Sequence, residues 1–342
     1  MANDDNLRNL RQRIDRIDKN ILRLLDERMT VSQRVANVKD RRGLALYDEA
    51  RERKIMSELS ERARHPQLRA ALASIYEPIL ALSKTVQTAR RLQIHPPPVR
   101  GLTIGIIGYG RFGVMLAGAL RKYWPAVRLM VFSRSHPIDK SMFFSLANVA
   151  AADILIPCVP ISSLPAVLRD LKPFLRKETT VIDVCSVKVM PARWLRKILG
   201  ADASIIASHP MFGPDSTEQG RHFSGLIMVL HNISAPVEIY ETWAGFWQRL
   251  GVVIVDLPPQ EHDRYAACTM NYSHLIGRIG ELTGIHSTPI DTKDFANVYQ
   301  VMEHVINDSW ELFYDMQKYN PYSAAMRRKV ARALAVIEKK LL

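Results

Sequence analysis

Apolar residues recur near the start of the chain with alternating spacings of three and four, the period of a heptad repeat. The run begins at Leu7 and continues to Val38, with one interruption at Arg28. This period predicts a single α-helix from about Asp5 to Arg41, roughly 55 Å long at ~1.5 Å per residue. Because the remaining N-terminal residues are too few to cover so long a stripe, we expect a second copy of the chain to cover it. We call the stripe the heptad seam; its positions are Leu7, Leu10, Ile14, Ile17, Ile21, Leu24, Arg28, Val31, Val35 and Val38.

The hydrophobic pattern divides the chain into four parts. Residues 1–94 carry no strand signal, and residues 95–100 form a linker that three prolines stiffen. Between residues 101 and 259, short β-branched runs alternate with helical stretches, which is typical of a parallel α/β sheet. Residues 260–342 again have a helical pattern. We therefore predict a multidomain protein with all-α domains on both sides of an α/β domain.

Composition narrows the class of protein. The 342 residues, 47% of them hydrophobic, are enough for two or three domains. The net charge of +13 is concentrated in the first hundred residues, but no block of basic and aromatic residues indicates nucleic-acid binding. The three cysteines, Cys158, Cys185 and Cys268, have no disulfide or metal spacing. With no membrane-length apolar run and no signal peptide, we expect a cytoplasmic protein without a metal that binds small polyanions.

A glycine-rich loop follows the first strand of the α/β region. The apolar run 102–107 precedes the loop, and a helix is predicted from Val114 to Tyr123. Glycines placed between a strand and a helix permit a tight turn and a close approach of a pyrophosphate to the helix N-terminus. The sequence therefore predicts a dinucleotide-binding domain of the Rossmann type. The loop residues are Gly108, Tyr109, Gly110, Arg111, Phe112 and Gly113.

The end of the second strand bears on the choice of cofactor. The strand predicted at residues 127–132 is followed by Ser133 and Arg134, where NAD enzymes carry an acid that holds the ribose 2′-hydroxyl. A hydroxyl and a guanidinium suit a 2′-phosphate, so the sequence favours NADP. Alternatively, Arg134 stacks on the adenine and NAD is also accepted. Val159 and Pro160, at the end of a later strand, are expected beside the nicotinamide.

Polar residues interrupt the helical N-terminal region at helical spacings. Arg28 occupies a seam position, where a buried cation needs an anionic partner, and Lys39 points the same way about 20° around the helix. Arg11 lies about 100° from that face, so it serves a different pocket. This spacing fits either an anion site or a dimerising coiled coil with a polar register residue. Later helices add two further polar faces, one with Asp48, Arg51 and Glu52 and one with Ser83 and Gln87.

Residues 5–92 resemble the all-helical chorismate mutases. The likeness rests on the segments 10–18, 24–28, 38–39 and 48–52. It implies a pericyclic reaction, for which the enzyme holds a chair-like conformer of a dianionic substrate and stabilises charge on the ether oxygen. By this resemblance Arg11 of the partner chain, Arg28 and Arg51 bind carboxylates, Lys39 and Gln87 bond the ether oxygen, Glu52 bonds the hydroxyl, and Asp48 and Ser83 support the pocket.

Residues 101–342 resemble the prephenate and arogenate dehydrogenases. The likeness rests on the glycine loop, the segments 183–188 and 209–214, and C-terminal segments that look most like the plant-type arogenate branch. It implies that neutral His209, with a pKa near the usual ~6.5, takes the substrate hydroxyl proton. It also implies that Ser186 bonds that hydroxyl or the nicotinamide amide. The substrate-binding residues are expected to be His274, Arg278 and Lys293, the last being a point charge where bifunctional enteric enzymes have an arginine.

Together the two resemblances imply a bifunctional enzyme of tyrosine biosynthesis. It would convert chorismate to prephenate and then oxidise prephenate or arogenate with NADP, as a homodimer joined through the N-terminal and C-terminal helices. One alternative is a monofunctional dehydrogenase whose helical arm only dimerises. Another is a non-catalytic sensor of NADP or an aromatic ligand. The sequence leaves open which acid is oxidised, whether tyrosine inhibits and whether intermediate passes between the sites.

Overall fold

The computed structural model describes residues 2–42, 49–94, 101–139 and 141–342. The described residues form two compact units. One contains the N-terminal helices together with His222–Leu226 and Trp247–Val253, and the other contains the rest of the chain from the first strand onward. Asp48 and the predicted linker at 95–100 lie outside the described residues. The limits of the predicted domains stay a prediction.

The N-terminal unit is built on one 40-residue helix. This helix begins three residues earlier than the heptad pattern predicts, and it packs against the last helix of the unit. The side chains turned inward include Ser32 and Ala36, and each follows a seam position by one residue. The helices of this unit are α1 (Ala2–Arg41), α2 (Glu49–Arg62), α3 (Pro66–Ala70) and α4 (Leu72–Ile94).

The heptad seam does not take part in that packing. Its apolar side chains remain about half exposed along the whole helix, with Leu10 at 51%, Ile17 at 50% and Val31 at 48%. Contiguous apolar surface of this extent is unusual for a monomer and marks an interaction surface. At seam position 28 the Arg28 side chain reaches α4 and bonds to Ser83 and Ile79.

The described residues form one seven-stranded sheet in the order β2-β1-β3-β4-β5-β6-β7. The first five strands pair in parallel, as the sequence predicts. At the edge of this parallel set, β6 runs antiparallel to β5. The strands are β1 (Thr103–Ile107), β2 (Arg128–Phe132), β3 (Ile154–Pro157), β4 (Thr180–Asp183), β5 (Ser204–Pro210), β6 (Ile227–Asn232) and β7 (Val253–Val255).

Helices cover the sheet and complete the second unit. The central strands β3, β4 and β5 are fully buried, which explains their continuous apolar sequences. Helix α5 begins at Arg111, three residues before the predicted start. The helices are α5 (Arg111–Tyr123), α6 (Leu146–Ala150), α7 (Leu164–Leu171), α8 (Val189–Leu199), α9 (Val237–Arg249), α10 (Pro259–Cys268), α11 (Met270–Leu282), α12 (Lys293–Ile306), α13 (Trp310–Tyr319) and α14 (Ser323–Leu341).

The C-terminal helices pack closely where glycines face their neighbours. A Cβ on Gly280 of α11 would lie 2.4 Å from the Met302 side chain of α12. This close approach fixes the α11–α12 pair, whose far end leads into the turn before α13. Within the described part of the chain, no helix is both long and apolar enough to cross a membrane.

Candidate functional site

The glycine loop between β1 and α5 has the shape of a phosphate cradle. Gly108 adopts a positive φ of 101°, and a Cβ there would lie 2.3 Å from the Cys158 carbonyl oxygen. A Cβ on Gly113 would lie 2.4 Å from the Gly108 oxygen, so the turn requires both glycines. Gly110 faces open space, and no side chain caps the α5 N-terminus. The free backbone N–H groups there suit the pyrophosphate of a dinucleotide.

Hydroxyl groups and a histidine gather where β2 ends. The Ser133 and Ser135 hydroxyl oxygens are 3.0 Å apart, and His136 Nδ1 lies 3.2 Å from each of them. The His136 ring stacks on Phe143 with a centroid distance of 4.8 Å. Arg134 is exposed beside this group. The sequence predicted Ser133 and Arg134 as cofactor-binding residues. Ser135 and His136 join this group because the turn after β2 brings them next to Ser133.

A cavity of about 870 Å³ opens in front of this loop. The ends of β3, β4 and β5 form its floor, and α11, α13 and the turn between α12 and α13 form its far wall. The carboxyl ends of parallel strands are where ligands bind in such sheets. Predicted residues that the structure brings together in this cleft are Gly110, Arg111, Phe112, Gly113, Val159, Pro160, Ser186, His209 and His274.

His209 lies in the floor of the cleft, inside strand β5 rather than in a loop after it. The side chain is buried, and its Nδ1 lies 2.8 Å from His262 Nε2. Burial lowers the pKa of His209 well below the usual value, and His262, Lys188 and His274 nearby lower it further. The expectation of an ordinary pKa near 6.5 is therefore corrected downward. At neutral pH the imidazole is uncharged and able to accept a proton.

Carboxylates line the wall opposite the glycine loop, which the sequence did not indicate. Asp315 accepts the backbone N–H of Ser162 at 2.8 Å. Arg111 Nη2 donates to both carboxylate oxygens of Asp215, each at 2.8 Å. Asp308 is a third exposed, and its oxygens lie 3.7 Å from Arg111 Nη1 and 3.9 Å from His274 Nε2, which is too far for hydrogen bonds. It is the acid best placed to meet a cationic group of a ligand.

Two residues predicted to bind substrate lie elsewhere. Arg278 is buried behind the cleft, where it bonds Glu281 and the Asp308 carbonyl oxygen and lies over the Trp310 ring. Its two terminal nitrogens therefore hold α11 to the turn before α13, while its Nε is buried without a hydrogen-bond partner among the described residues. Lys293 is exposed at the start of α12 and does not line the cavity. The assignment of these two cations to the substrate stays a prediction.

Arg28 is the centre of a second polar site, in the N-terminal unit. Its guanidinium donates to the Ser83 hydroxyl and to the Ile79 carbonyl oxygen of α4. Partial burial lowers the pKa of Arg28 from its usual value. Within the described residues no carboxylate pairs with it, so the expected anionic partner is not supplied by this part of the chain. A half-buried cation with only neutral partners favours binding of an anionic ligand.

The other residues predicted for this site are spread over three helices. Gln87 Oε1 on α4 is buried without a hydrogen-bond partner among the described residues. Lys39 and Glu52 are partly buried, and Arg51 is exposed. Arg11 lies seventeen residues before Arg28 on the same helix, about 25 Å away at ~1.5 Å per residue. One copy of the chain cannot bring these two arginines to one small molecule.

Family models match three segments of the chain. They are chorismate mutase type II over residues 10–88, the nucleotide-binding domain of prephenate dehydrogenase over residues 117–255, and a TYRAAT1-like C-terminal domain over residues 279–342. These matches confirm the predicted order of an all-helical mutase domain, a Rossmann-type domain and a helical C-terminal domain.

A curated relative decides the family. Arogenate dehydrogenase 2 of Arabidopsis thaliana, a chloroplastic protein, is 32% identical over 70% of this chain and 70% of its own length. The chain belongs to the prephenate and arogenate dehydrogenase family. With its chorismate mutase domain, this family member has the domains of a bifunctional enzyme of tyrosine biosynthesis, and its nucleotide-binding domain is of a type that uses NAD(P).

Solved structures share the fold of this dehydrogenase. Prephenate dehydrogenase of Aquifex aeolicus, in complex with hydroxyphenyl propionate and NAD+, has a TM-score of 0.57 at 18% identity and covers 71% of this chain and 91% of its own. Synechocystis arogenate dehydrogenase has a TM-score of 0.51 at 21% identity and covers 70% and 93%. At these identities the likeness shows the fold alone.

Proposed function

We propose that this dehydrogenase is a bifunctional enzyme that rearranges chorismate to prephenate in its helical unit and oxidatively decarboxylates arogenate, with NADP, in the cleft of its α/β unit. The observation that carries the dehydrogenase assignment is His209. Its buried, neutral imidazole uses one ring nitrogen for His262, while the residue itself lines the cavity in front of the glycine loop. A base held in this way takes a proton from a substrate that the cofactor oxidises.

The residues of the cleft divide the chemistry between them. The glycine loop and the α5 N-terminus hold the pyrophosphate, and the bound nicotinamide supplies the hydride acceptor. His209 accepts the hydroxyl proton as hydride leaves C4 of the substrate ring. The C–C bond to the ring carboxylate breaks, CO2 departs and the freed electron pair makes the ring aromatic. The proton then returns to the phenolate oxygen, so the base is regenerated.

Arogenate is proposed as the preferred substrate because of the acid in the far wall. Arogenate carries an ammonium group where prephenate carries a ketone. The Asp308 carboxylate lies 3.7 Å from Arg111 and 3.9 Å from His274, whereas Asp315 and Asp215 accept hydrogen bonds of 2.8 Å from protein donors. The relative from Arabidopsis is named as an arogenate dehydrogenase, which agrees with this choice. Initial rates with arogenate and prephenate, each with NADP and NAD, test the proposal directly.

One pair of variants separates this substrate preference from general damage to the cleft. Asp308→Asn should reduce the arogenate-to-prephenate ratio of kcat/KM by about 10-fold or more, since a charged hydrogen bond contributes ~1.5–3 kcal/mol. Glu311→Gln removes an exposed carboxylate of the same wall and serves as the control. An unchanged ratio in Asp308→Asn would overturn arogenate as the preferred substrate.

The 2′-phosphate site supports NADP as the cofactor. No acid stands at the end of β2, and the Ser133 and Ser135 hydroxyls lie together beside an exposed guanidinium. Hydroxyls and a guanidinium are donors that bind a phosphate. A wild-type preference for NAD in kcat/KM would contradict this part of the proposal.

The mutase assignment requires a homodimer. The seam is half exposed, and Arg11 lies ~25 Å from Arg28 along α1. A second copy of α1 that covers the seam and brings its own Arg11 to the site accounts for both observations. The partly buried Arg28, without a carboxylate partner in the described residues, then receives the substrate. Conversion of chorismate to prephenate without added cofactor distinguishes this enzyme from a monofunctional dehydrogenase with an inert helical arm.

A further inference from the structure

A continuous line of buried polar groups runs away from His209 beneath the cleft. His209 Nδ1 is 2.8 Å from His262 Nε2, and His262 Nδ1 is 2.9 Å from Asp263 Oδ1. Both histidines and the aspartate are buried. The last two residues lie on α10, so a helix from outside the sheet holds the ring in the strand. Nothing in the reaction described above uses His262 or Asp263.

The carboxylate at the end of this line can only accept hydrogen bonds. Asp263 Oδ1 accepts the backbone N–H of Lys188 at 2.7 Å, and Oδ2 accepts that of Val189 at 2.9 Å. Both N–H groups belong to the start of α8, where the unpaired helix donors and the helix dipole favour an ionised carboxylate. His262 Nδ1 must therefore carry the hydrogen that points at Asp263.

This assignment fixes the next ring as well. A neutral imidazole that carries its hydrogen on Nδ1 has a lone pair on Nε2. His262 Nε2 consequently accepts a hydrogen bond, so His209 Nδ1 donates it. The lone pair of His209 is then on Nε2, the nitrogen that His262 leaves free for the substrate. We propose that His262 and Asp263 are positioning residues that hold His209 in the one tautomer able to accept the substrate proton.

The charged groups around His209 disfavour its protonation. Lys188 is buried, and its ammonium donates to Asp183 and to the carbonyl oxygen of Ser208, the residue before His209. This cation disfavours a second positive charge on the rings. His274, on α11, is the other titratable group that faces His209. If His262 were doubly protonated, its Nε2 would donate, and His209 would carry its hydrogen on the wrong nitrogen.

This inference rests on the proposed oxidation, and two substitutions at His262 test it. A glutamine amide occupies roughly the place of a histidine Nε2 and keeps an acceptor for His209, whereas an asparagine amide occupies the place of Nδ1 and keeps only the contact with Asp263. We expect His262→Gln to retain kcat within a few-fold of wild type. His262→Asn should lose roughly 10- to 100-fold in kcat, less than the ~10²–10⁴ of losing the base itself. KM for NADP should be unchanged in both variants.

A second readout does not depend on activity. Long-range ¹H–¹⁵N spectra of the full-length protein at neutral pH should show the His209 ring protonated on Nδ1, with the signals assigned by comparison with His209→Asn. In His262→Asn this ring should show a mixture of tautomers, and in His262→Gln it should not. An unchanged Kd for NADP in the same samples reports correct folding of the α/β unit.

The outcomes separate the two proposals. Equal kcat values for His262→Asn and His262→Gln, or a His209 ring protonated on Nε2 in the wild type, would overturn the positioning role. A wild-type protein that oxidises neither prephenate nor arogenate would overturn the proposed function instead, while the ring spectra would still report the tautomer.

Discussion

The helical unit and the α/β cleft satisfy their polar groups in different ways. In the cleft, His209, His262 and Asp263 are buried and bonded to one another within one chain. In the helical unit, Arg28 has only a hydroxyl and a carbonyl as partners among the described residues, and an apolar seam stays open to solvent. The first site is preorganised before its ligand arrives. The second has the features of half a site, which the proposed second chain and anionic substrate would complete.

The largest effect expected from this contrast is the removal of the base in the cleft. His209→Asn should lose roughly 10²–10⁴-fold in dehydrogenase kcat, the usual range for a general base, while NADP binding changes little. Mutase turnover should be unaffected because its residues lie in the other unit. Steady-state rates of both reactions on one preparation measure this, and a near wild-type oxidation rate would require another base, with His274 the next candidate.

Arg28→Ala is the matching change in the helical unit. Loss of a cation that binds a carboxylate should reduce mutase kcat/KM by about 100-fold, given ~1.5–3 kcal/mol for each charged hydrogen bond. Arg23→Ala, at an exposed position of the same helix, is the control and should change little. The dehydrogenase should keep its rate in both variants. Loss of both activities in Arg28→Ala would indicate a folding defect rather than a binding role.

The difference between the two sites also explains which parts of the structure the sequence could predict. The heptad seam was visible because ten positions repeat one period, and the structure leaves those side chains exposed. The face that packs on α4 was not visible, since Ser32 and Ala36 carry no strong apolar signal. In the α/β unit the glycine loop and the strand ends are local patterns, and they predicted the loop residues, Ser186 and His209 in the cleft.

Long-range contacts account for what the sequence could not show. Arg278 is predicted to bind substrate, but it contacts the Asp308 carbonyl oxygen and the Trp310 ring, thirty or more residues away in the chain. Asp308 belongs to no sequence motif, so the sequence did not predict that it lines the cleft. The antiparallel β6 carries the same apolar composition as a parallel strand, so composition alone does not reveal its direction.

Disruption of the seam should break the helical unit's site without harming the cleft. Ile17→Glu places a charge in the middle of the proposed dimer contact, where an unpaired charge is costly to bury. We expect mutase kcat/KM to fall at least about 10-fold and to rise with protein concentration, as the dimer re-forms by mass action. Gln12→Glu, on the opposite side of the same helix, is the control. Sedimentation that shows a wild-type monomer with full mutase activity would contradict the shared site.

A smaller effect is expected at the cofactor end of the cleft. Arg134→Ala should raise KM for NADP by about 10-fold or more, because one charged hydrogen bond to the 2′-phosphate is lost. KM for NAD should stay the same, since NAD lacks that phosphate. Equal changes for the two cofactors would indicate that Arg134 stacks on the adenine instead.

The smallest expected effect is a pH profile that stays flat where an exposed histidine would titrate. Burial, together with the nearby Lys188, His262 and His274, lowers the pKa of His209. The active form of the base is the neutral one, and a lowered pKa keeps it neutral to lower pH. Dehydrogenase kcat should therefore change by less than about two-fold as the pH falls from about 8 to the ordinary histidine value of 6.5, and the acid limb should appear below that. An acid limb of the pH profile centred at 6.5 would mean that solvent reaches the His209 ring in the substrate complex. The cleft would then be exposed to solvent, as the Arg28 site of the helical unit is.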